Sequence, residues 1–418
     1  MDKRIGIYFH LPFCAGKCAY CEFYSRPGCD DRIPAYQRAL IRNIRESRPL
    51  LGGRYIDTVY FGGGTPTHYG ADRLISLFST LKQVGRVMLD AEVTVEGNPE
   101  SIRLPELVRL RNAGFNRLSI GVQTADDGLL KTIGRLHTFR QAAEAVEAAR
   151  KAGFDNVSLD LIYGLPSQTR ESWADTLRQA IALRPEHISC YGLKIEPGTP
   201  LWEYRESPDI PDDDTQADMY LFAAEELERH GYAQYEISNF AFPGRESRHN
   251  MRYWQCEEYL GFGAGAHSYC QGRRFATVSD MDAYIQGMET GGAIIDQSDA
   301  ISGFDRSSEY LMLGLRTTRC ICAREFQAIW RCGFGEIDAQ MQEYAAAGLA
   351  KKQNDRWRLT PKGFLVSNAI ILGVLDALAR EREGKVLFPD GENPDGKDQF
   401  SVFEQEEETD ISPIFRGI

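Results

Sequence analysis

The sequence predicts an α/β protein built on a parallel sheet, and two observations support that class. From the N-terminus to about residue 195, short strand-like runs alternate with helical patterns in a regular order. Chemically unusual residues follow the strands, at the edge where parallel strands end. Right-handed crossovers wind such units in one direction, into either an open doubly wound sheet or a partial barrel. The pattern does not decide between these two architectures. Both place function at the carboxyl ends of the strands.

Six strands and five helices are predicted in this first part of the chain. Each strand is followed by polar residues or by glycine and proline, and the strands cover 5–9, 56–61, 91–96, 117–121, 157–162 and 187–191. Each helix carries apolar residues at helical spacing, and the helices cover 33–47, 71–84, 104–113, 139–152 and 170–182. We expect the unit that these elements build to span residues 1–200.

The rest of the chain has a different pattern. An amphipathic helix is predicted over 213–230, with aspartates at its start that suit the positive end of the helix dipole. It belongs to an extension, residues 201–300, that we expect to complete the core. Residues 301–375 show three helical patterns, a two-stranded wing and a last helix, which predicts a winged-helix-like domain. Residues 376–418 carry twelve Asp or Glu against five Lys or Arg and are predicted to be a disordered acidic tail.

The composition excludes several classes of protein. A hydrophobic content of 43% and a charged content of 26% over 418 residues are ordinary for globular chains. The net charge of −12 argues against a general nucleic-acid binder, and the mild charge of the winged-helix-like region does not predict DNA binding. No apolar run approaches the roughly 20 residues that span a bilayer. We therefore expect a soluble, cytoplasmic protein with no transmembrane segment.

Three cysteines carry the strongest chemical signal. Cys14, Cys18 and Cys21 form a C-x3-C-x2-C run after the first strand. A four-iron cluster normally takes four thiolates, so three would leave one iron open to bind a ligand. Zinc is the alternative, but a structural zinc site is closed by four ligands in paired cysteine units, and the second pair is missing. The other seven cysteines are scattered and too sparse for a disulfide framework, so we interpret them as core or incidental thiols.

A glycine-rich turn follows the second strand. The run Gly62-Gly63-Gly64-Thr65 allows backbone to approach a ligand closely, but it lacks the lysine of a phosphate-binding loop and the spacing of a dinucleotide fingerprint. An amino acid that chelates the open iron suits the turn better. Singly, the polar residues at neighbouring strand ends are ordinary surface or helix-cap residues. Together they favour one site, with hydrogen-bonding groups from Glu96, Gln123, Arg135 and Asp160.

Three motifs carry a resemblance to a known family. The run 8–21 with its cysteines, Gly62-Gly-Gly-Thr-Pro66 and Asp160-Leu-Ile-Tyr-Gly-Leu-Pro166 are similar to motifs of the radical S-adenosylmethionine (radical SAM) superfamily. The resemblance is to its coproporphyrinogen III oxidase-like branch and covers about residues 4–375. It implies a partial (β/α)6 TIM-like barrel with a C-terminal helical domain. It also implies a [4Fe-4S] cluster on Cys14, Cys18 and Cys21 whose open iron chelates S-adenosylmethionine.

The same resemblance implies the residues that bind S-adenosylmethionine. The positions that match contacts to the iron-bound molecule are Tyr8, Tyr20, Gly63 and Glu96. The positions that match a second S-adenosylmethionine of the dehydrogenase are Gly64, Thr65, Gln123, Arg135, Asp160 and Lys194. His267 stands where the dehydrogenase has an apolar residue, and we include it in this set.

Two departures point to a heme-chaperone family within that branch. The dehydrogenase has a further cysteine where this chain has Phe23, and it has a long N-terminal extension that we do not find. The run 249–254, HNMRYW, resembles the H-N-x-x-Y-W motif that the chaperone family uses for heme. Imidazole is a common ligand of heme iron, and aromatic rings offer flat faces to a porphyrin. The resemblance therefore implies heme binding by His249, Asn250, Tyr253 and Trp254.

Alternatives remain for the ligands and for the function. His10 and His267 are rival heme ligands, and Arg248 and Arg252 are candidate partners of the heme propionates. The leading hypothesis is a heme chaperone that delivers heme to hemoproteins, among them respiratory enzymes that can be membrane-bound. The alternative is an oxygen-independent coproporphyrinogen III dehydrogenase of porphyrin biosynthesis. A third is an iron-sulfur protein with vestigial radical chemistry, and the sequence predicts no oligomeric state.

Overall fold

Strands and helices alternate through the first half of the chain in the computed structural model, which describes residues 4–383. The strands are β1 (Arg4–Leu11), β2 (Phe13–Cys14), β3 (Arg26–Pro27), β4 (Tyr55–Gly63), β5 (Arg86–Gly97), β6 (Arg117–Gln123), β7 (Val157–Tyr163) and β8 (His187–Gly192). The helices are α1 (Ile33–Glu46), α2 (Arg48–Leu51), α3 (Pro66–Tyr69), α4 (Ala71–Val84), α5 (Leu104–Ala113), α6 (Asp127–Thr132), α7 (Phe139–Lys151) and α8 (Arg170–Ala182). All six predicted strands and five predicted helices are confirmed.

The second half of the chain adds shorter strands and a group of helices. The strands are β9 (Ala233–Gln234), β10 (Asn239–Ala241), β11 (Tyr259–Phe262), β12 (His267–Cys270), β13 (Arg273–Thr277), β14 (Ile295–Ala300), β15 (Ile321–Cys322), β16 (Ala350–Gln353) and β17 (Arg356–Leu359). The helices are α9 (Asp213–Arg229), α10 (Arg248–Trp254), α11 (Met281–Thr290), α12 (Gly303–Gly314), α13 (Ala323–Trp330), α14 (Gly335–Ala346), α15 (Pro361–Leu365) and α16 (Ser367–Glu383).

The order of the strands decides between the two predicted architectures. Twelve described strands form one sheet in the order β14-β13-β12-β11-β1-β4-β5-β6-β7-β8-β10-β9. From β1 to β8 the strands are parallel and follow the chain in one direction, whereas a doubly wound sheet reverses at a switch point. The fold is therefore an incomplete barrel. Its ends do not meet, because β1 pairs with β11 and β8 pairs with β10.

Side chains alternate between the two faces of the barrel strands, and this alternation builds the site. On β1, Ile7 and Phe9 point to the helices, and Phe9 stacks on Phe61 of β4 with ring centroids 4.6 Å apart. The residues between them, such as Tyr8, face the barrel interior together with Tyr60 of β4. The apolar face holds the helices on the barrel, and the other face presents polar groups to its interior.

The C-terminal helices surround a small sheet with a core of its own. Strands β15, β17 and β16 pair in that order, so the predicted wing is present as β16 and β17, and β15 is an addition to it. Helix α16 continues to Glu383 because Ala377 and Leu378 pack into this core. The start of the acidic tail, predicted at residue 376, is therefore wrong. Residues 384–418 of that tail lie outside the described residues.

Within residues 4–383, each helix is too short or too polar to cross a lipid bilayer.

Candidate functional site

The three cysteines lie on the loop that leaves β1 and returns towards α1. Cys14 ends β2, and its Sγ lies 3.3 Å from Oγ1 of Thr65, in the turn after β4. Arg135 donates a hydrogen bond through Nη1 to Sγ of Cys18 at 3.5 Å. All three thiols are partly exposed and free of disulfides. The loop therefore presents three thiols at the carboxyl end of the barrel, as the sequence predicts.

The thiols are close enough to influence one another. Burial raises the pKa of the Cys14 thiol; the hydrogen bond to Thr65 opposes this effect, and the charges of Cys21 and Cys18 add to it. Burial also raises the pKa of Cys21, against the nearby Lys17. Among residues 4–383, no three His, Cys, Asp or Glu side chains converge as the ligands of a single ion do. A four-iron cluster takes each thiolate on a different iron, so this donor set suits a cluster.

The glycine-rich turn packs tightly against the segment that leads into the cysteine loop. The amide of Gly64 donates to the Leu11 carbonyl at 2.8 Å, and the amide of Thr65 donates to the Phe13 carbonyl at 2.7 Å. A Cβ atom on Gly64 would lie 2.6 Å from the Phe13 carbonyl oxygen, and Gly63 has a φ of 112°. The glycines are required for this packing, and the two amides are used within the protein rather than facing a ligand.

Asn98 joins two of the predicted residues, and the sequence analysis did not single it out. Its Nδ2 donates to Oγ1 of Thr65 at 2.9 Å, and its Oδ1 accepts from Nη2 of Arg135 at 2.8 Å. Arg135 also donates to the carbonyl of Gly121 at 2.8 Å, and its buried Nε has no hydrogen-bond partner among the described residues. The only signal in the sequence was the position of Asn98, two residues after Glu96 at the end of β5.

Two carboxyl groups lie inside the barrel. The Tyr60 hydroxyl donates to Oε1 of Glu96 at 2.7 Å. Burial raises the pKa of Glu96 to about 7, although the hydrogen bond from Tyr60 opposes the shift, and the charge of Asp160 adds to it. Asp160 accepts hydrogen bonds from Ser189 at 2.6 Å and Ser119 at 3.0 Å, and burial raises its pKa as well. Burial therefore disfavours the charged form of both carboxyl groups.

His10 is fully engaged within the protein. Its Nε2 lies 2.9 Å from the Tyr24 carbonyl oxygen, which can only accept, so Nε2 carries the hydrogen. Its Nδ1 then accepts from the Tyr8 hydroxyl at 3.0 Å. Burial lowers the pKa of His10 to about 4, and the neighbouring His267 adds to the lowering. The structure leaves His10 no free nitrogen for iron.

The remaining predicted residues occupy different surroundings at the same end of the barrel. Gln123 is buried with a φ of 62°, and its Oε1 has no hydrogen-bond partner among the described residues. Tyr20 lies beside Arg135 and Cys18. Lys194 is exposed just after β8, and His267 is exposed at the start of β12. Next to Cys18, a crevice of about 10 Å³ holds room for roughly one water molecule.

His249, the predicted heme ligand, is buried and hydrogen-bonded through both ring nitrogens. Nδ1 lies 2.9 Å from Oγ1 of Thr58, Nε2 lies 2.8 Å from the Tyr253 hydroxyl, and the residue is 1% exposed. Burial lowers its pKa to about 3, and the charge of Arg252 contributes. The candidate propionate partners are also engaged, because Arg248 and Arg252 form ion pairs with Asp57.

The other three predicted heme-binding residues, Asn250, Tyr253 and Trp254, line a large pocket. Its volume is about 610 Å³, within the range of small-molecule and cofactor sites. It lies at the opening of the incomplete barrel and is lined from both of the sheet's flanks and from α12. The lining residues include Tyr191 of β8, Asn239 of β10, Asn250, Tyr253 and Trp254 of α10, Tyr259 of β11, Tyr269 of β12, Arg274 of β13, and Glu309, Met312 and Leu313 of α12.

We call this cavity the opening pocket, and its walls are mainly aromatic and aliphatic. Its polar groups are Glu236, Ser238, Asn239, Asn250, Cys256 and Glu257, together with Arg274, which donates to both carboxylate oxygens of Glu309 at 2.7 and 3.2 Å. The sequence analysis found only the helix α10 part of this lining. Cys256 lies two residues past the motif, but the other residues come from separate segments that carry no shared signal.

Aromatic rings connect the barrel interior to the opening pocket. The His249 ring stacks near Tyr60 with centroids 5.3 Å apart and near Tyr8 at 6.4 Å. On its other side it meets Tyr253 edge-on at 5.2 Å. Because Tyr60 also binds Glu96, one buried chain of contacts runs from the carboxyl end of the barrel to the pocket wall.

Two family models match the chain. The radical SAM superfamily matches residues 8–180, and the HemN C-terminal domain matches residues 301–366. The first match contains the cysteine loop and strands β4 to β7, and the second contains the wing formed by β16 and β17. The radical SAM family implies a [4Fe-4S] cluster and S-adenosylmethionine, to which the thiol donor set described above corresponds.

Several curated proteins are similar over most of their length. The heme chaperone HemW of Bacillus subtilis (strain 168) is 35% identical and aligns with 89% of this chain and 99% of that protein. The heme chaperone HemW of Escherichia coli (strain K12) is 33% identical, over 88% of this chain and 97% of that protein. The mitochondrial radical S-adenosyl methionine domain-containing protein 1 of Bos taurus is 32% identical, over 90% and 88%.

A solved structure matches the whole architecture. The radical SAM enzyme coproporphyrinogen III oxidase (HemN) of Escherichia coli superposes with a TM-score of 0.80 at 25% identity, and the alignment covers 89% of this chain and 90% of that chain. This similarity confirms the predicted radical SAM barrel with a C-terminal helical domain.

Proposed function

The chain belongs to the HemW family of heme chaperones within the radical SAM superfamily, and we propose that it binds heme and delivers it to hemoproteins. The observation that carries the proposal is the opening pocket, because Asn250, Tyr253 and Trp254 of the HNMRYW run line it. A porphyrin needs a wide cavity with flat apolar walls, and this cavity supplies both.

Within the pocket, the motif residues take separate roles. Tyr253 and Trp254 offer ring faces to the porphyrin, and Asn250 offers an amide at the wall. His249 lies behind that wall and holds the Tyr253 hydroxyl through Nε2. We therefore assign His249 a supporting role for the wall, in place of the iron ligation suggested by the resemblance.

At the carboxyl end of the barrel, Cys14, Cys18 and Cys21 would hold a [4Fe-4S] cluster. Such a cluster, when bound, supplies an electron to S-adenosylmethionine on its open iron. The residues proposed to hold S-adenosylmethionine surround the loop, and the unpartnered buried atoms of Gln123 and Arg135 leave hydrogen-bonding groups for a ligand. The full set is Tyr8, Tyr20, Gly63, Gly64, Thr65, Glu96, Gln123, Arg135, Asp160, Lys194 and His267.

The structural similarity to HemN makes the dehydrogenation of coproporphyrinogen III the second candidate function. Phe23 stands where the dehydrogenase has a further cysteine, and it is 65% exposed on the cysteine loop. The curated relatives named as heme chaperones are more similar to this chain than the dehydrogenase is. We propose the chaperone function and expect recipients among respiratory hemoproteins in the cytoplasm or at its membrane.

An anaerobic transfer assay tests the proposal. The full chain is reconstituted with its cluster, loaded with heme, and mixed with an apo-cytochrome that can be separated from it, with and without S-adenosylmethionine. We expect the Soret absorbance to move to the acceptor faster than from heme-loaded serum albumin, a nonspecific carrier. Trp254→Ala should load less heme.

The opposite outcome is equally measurable. Heme that stays on the chain, or moves no faster than from albumin, would reject the chaperone function. Conversion of coproporphyrinogen to protoporphyrinogen together with 5'-deoxyadenosine, under the same reducing conditions, would establish the dehydrogenase instead.

A further inference from the structure

The described residues that line the opening pocket include no histidine, yet heme iron needs a protein ligand. The groups in the lining that can bind iron are the thiol of Cys256, the thioether of Met312, the carboxylates of Glu236, Glu257 and Glu309, and several tyrosine hydroxyls. The hydroxyl of Tyr253 is hydrogen-bonded to His249. Thiolate is the strongest of these donors for ferric heme, since it carries a full negative charge on a soft atom.

We propose that Cys256 is the axial ligand of the heme iron in the opening pocket, and that His249 is a positioning residue that holds Tyr253 at the pocket wall. This inference rests on the proposed function, because it presumes that heme is the cargo. It assigns the ligand to a residue outside the HNMRYW run.

A tight turn after α10 places Cys256 at the pocket. Its amide donates to the Tyr253 carbonyl at 3.2 Å, and the amide of Glu257 donates to the Arg252 carbonyl at 2.9 Å. Cys256 has a φ of 53°, a left-handed conformation that non-glycine residues seldom adopt. The turn thereby places Cys256 in the lining that Tyr253 and Trp254 share, and leaves it partly exposed and without a disulfide.

Two other buried side chains of the same pocket independently indicate a ligand. Oε1 of Glu236 and Oδ1 of Asn239 have no hydrogen-bond partner among residues 4–383, although the two residues are only 1% and 4% exposed. Buried polar atoms without partners are costly, so a ligand that satisfies them gains affinity. Burial raises the pKa of Glu236 to about 7, against hydrogen bonds from the Ser238 amide and the Asn239 side chain. A protonated Glu236 can donate to a carboxylate such as a heme propionate.

Burial and the charges around Cys256 set the protonation state of its thiol before heme binds. Burial raises the pKa of the thiol to about 11, Glu309 adds to the shift, and Arg274 and Arg306 oppose it. The free protein therefore holds the thiol protonated at neutral pH. On binding ferric heme, the S–H bond breaks, an Fe–S bond forms and the proton leaves to solvent. The oxidation state of the iron does not change.

Spectroscopy of the full chain with its cluster assembled tests the ligand. We expect ferric heme to show the magnetic circular dichroism of thiolate ligation, and the reduced carbon monoxide complex to show the strongly red-shifted Soret band of that class. Cys256→Ser should remove both signatures and weaken heme binding at least about tenfold. Cys256→His should restore tight binding with the spectrum of imidazole ligation. Cys332→Ser, a partly buried cysteine outside the pocket, serves as the control.

The variants at His249 separate a ligand from a positioning residue. His249→Gln should weaken heme binding but keep the thiolate signature, and Tyr253→Phe should do the same. The inference is overturned if wild-type heme binds without a thiolate signature, or if His249→Gln changes the ligation spectrum while Cys256→Ser does not. Failure of the proposed function looks different, because wild type would then bind no heme at all. Thermal unfolding of each variant identifies any loss of folding.

Discussion

The carboxyl end of the barrel and the opening pocket differ in how the chain builds them. The first uses side chains at the ends of consecutive strands, each one βα unit after the last, between Cys14 and Asp160. The pocket collects residues from β8, β10, β11, β12, β13 and two helices, from Tyr191 to Leu313. A site built from repeated units leaves a readable pattern in the sequence, whereas a site formed where a barrel fails to close does not.

The two regions also differ in what they can hold. The carboxyl end is crowded with paired polar groups, and the crevice beside Cys18 has a volume of about 10 Å³. The opening pocket has about 610 Å³ and mainly aromatic walls. The first arrangement suits small, charged cofactors and the second a large, flat cargo, and the rings of Tyr60, His249 and Tyr253 connect them.

The largest expected effect is the loss of the iron-sulfur cluster from the carboxyl end of the barrel while the opening pocket still binds heme. Cys18→Ser removes one of three thiolates, so the chain should lose its iron-sulfur absorbance, acid-labile sulfide and S-adenosylmethionine binding after anaerobic reconstitution. Heme affinity should stay within about threefold of wild type, because the pocket does not contain the loop. Cys29→Ser, a neighbouring cysteine outside the motif, is the matched control and should keep the cluster. Retention of the full cluster in Cys18→Ser would contradict the assignment.

A change in the wall of the opening pocket should weaken heme binding and leave the cluster intact. Trp254→Ala removes a large aromatic face, and we expect heme to bind about ten- to a hundredfold more weakly, since buried aromatic contacts contribute several kcal/mol. Cluster iron and sulfide should not change. Heme titration followed at the Soret band measures the effect, with Trp202→Ala on the exposed surface as control. Equal heme affinities of Trp254→Ala and Trp202→Ala would show that heme binds outside the opening pocket.

A smaller and more local effect is expected from Asn98→Ala. The substitution removes the bridge between Thr65 and Arg135, so Arg135 loses a charge-assisted hydrogen bond and its orientation beside Cys18. We expect S-adenosylmethionine to bind about tenfold more weakly to the reconstituted protein, while heme binding is unchanged. Isothermal titration with each ligand measures both. An unchanged affinity for S-adenosylmethionine would remove Asn98 from the site.

The smallest effect is in the pH dependence of the two regions. Each contains one carboxyl group whose pKa burial raises to about 7, Glu96 in the barrel and Glu236 in the pocket. An ionised Glu96 attracts the ammonium of S-adenosylmethionine, so that affinity should rise with pH up to about 7. Heme binding releases the proton of the Cys256 thiol and holds one on Glu236, so heme affinity should rise with pH up to about 7 and level off above it. Each slope is at most about tenfold per pH unit.

The glutamine variants test the origin of these slopes. The groups that face Glu96 are Tyr60, Tyr8, Asp160 and Arg117, and tyrosines face Glu236. Glu96→Gln should flatten only the pH profile of S-adenosylmethionine binding. Glu236→Gln should leave that profile unchanged and let heme affinity keep rising above pH 7. A heme profile that levels off in Glu236→Gln as it does in wild type would contradict the role of Glu236.

The sequence predicted the barrel and most of its carboxyl end. Strand and helix periodicity located all six parallel strands, because their apolar faces alternate with polar ones, as Ile7 and Tyr8 do on β1. Periodicity could not tell a doubly wound sheet from a barrel, since that choice depends on which strands pair. The pattern also placed the end of the last helix too early. Charged residues on the exposed face of α16 masked the apolar Ala377 and Leu378, which lie in the core.

The limits of the site prediction have a similar cause. The motif HNMRYW is readable in the sequence, but which of its side chains face a cavity depends on how α10 packs against β4. That packing buries His249 against Thr58 and leaves Tyr253 and Trp254 at the pocket. The pocket partners Glu236, Asn239 and Arg274 come from segments ten or more residues away on either side, where no local spacing connects them.

The most direct test of two separate sites in one chain is a heme titration of protein that already holds its cluster and S-adenosylmethionine. Iron, acid-labile sulfide and bound S-adenosylmethionine are measured before and after heme reaches saturation. We expect one heme to bind per chain with all three values unchanged, and Cys18→Ser to take up heme equally well. Heme binding that displaces sulfide, or that disappears in Cys18→Ser, would show that the cluster cysteines hold the heme and would contradict the account.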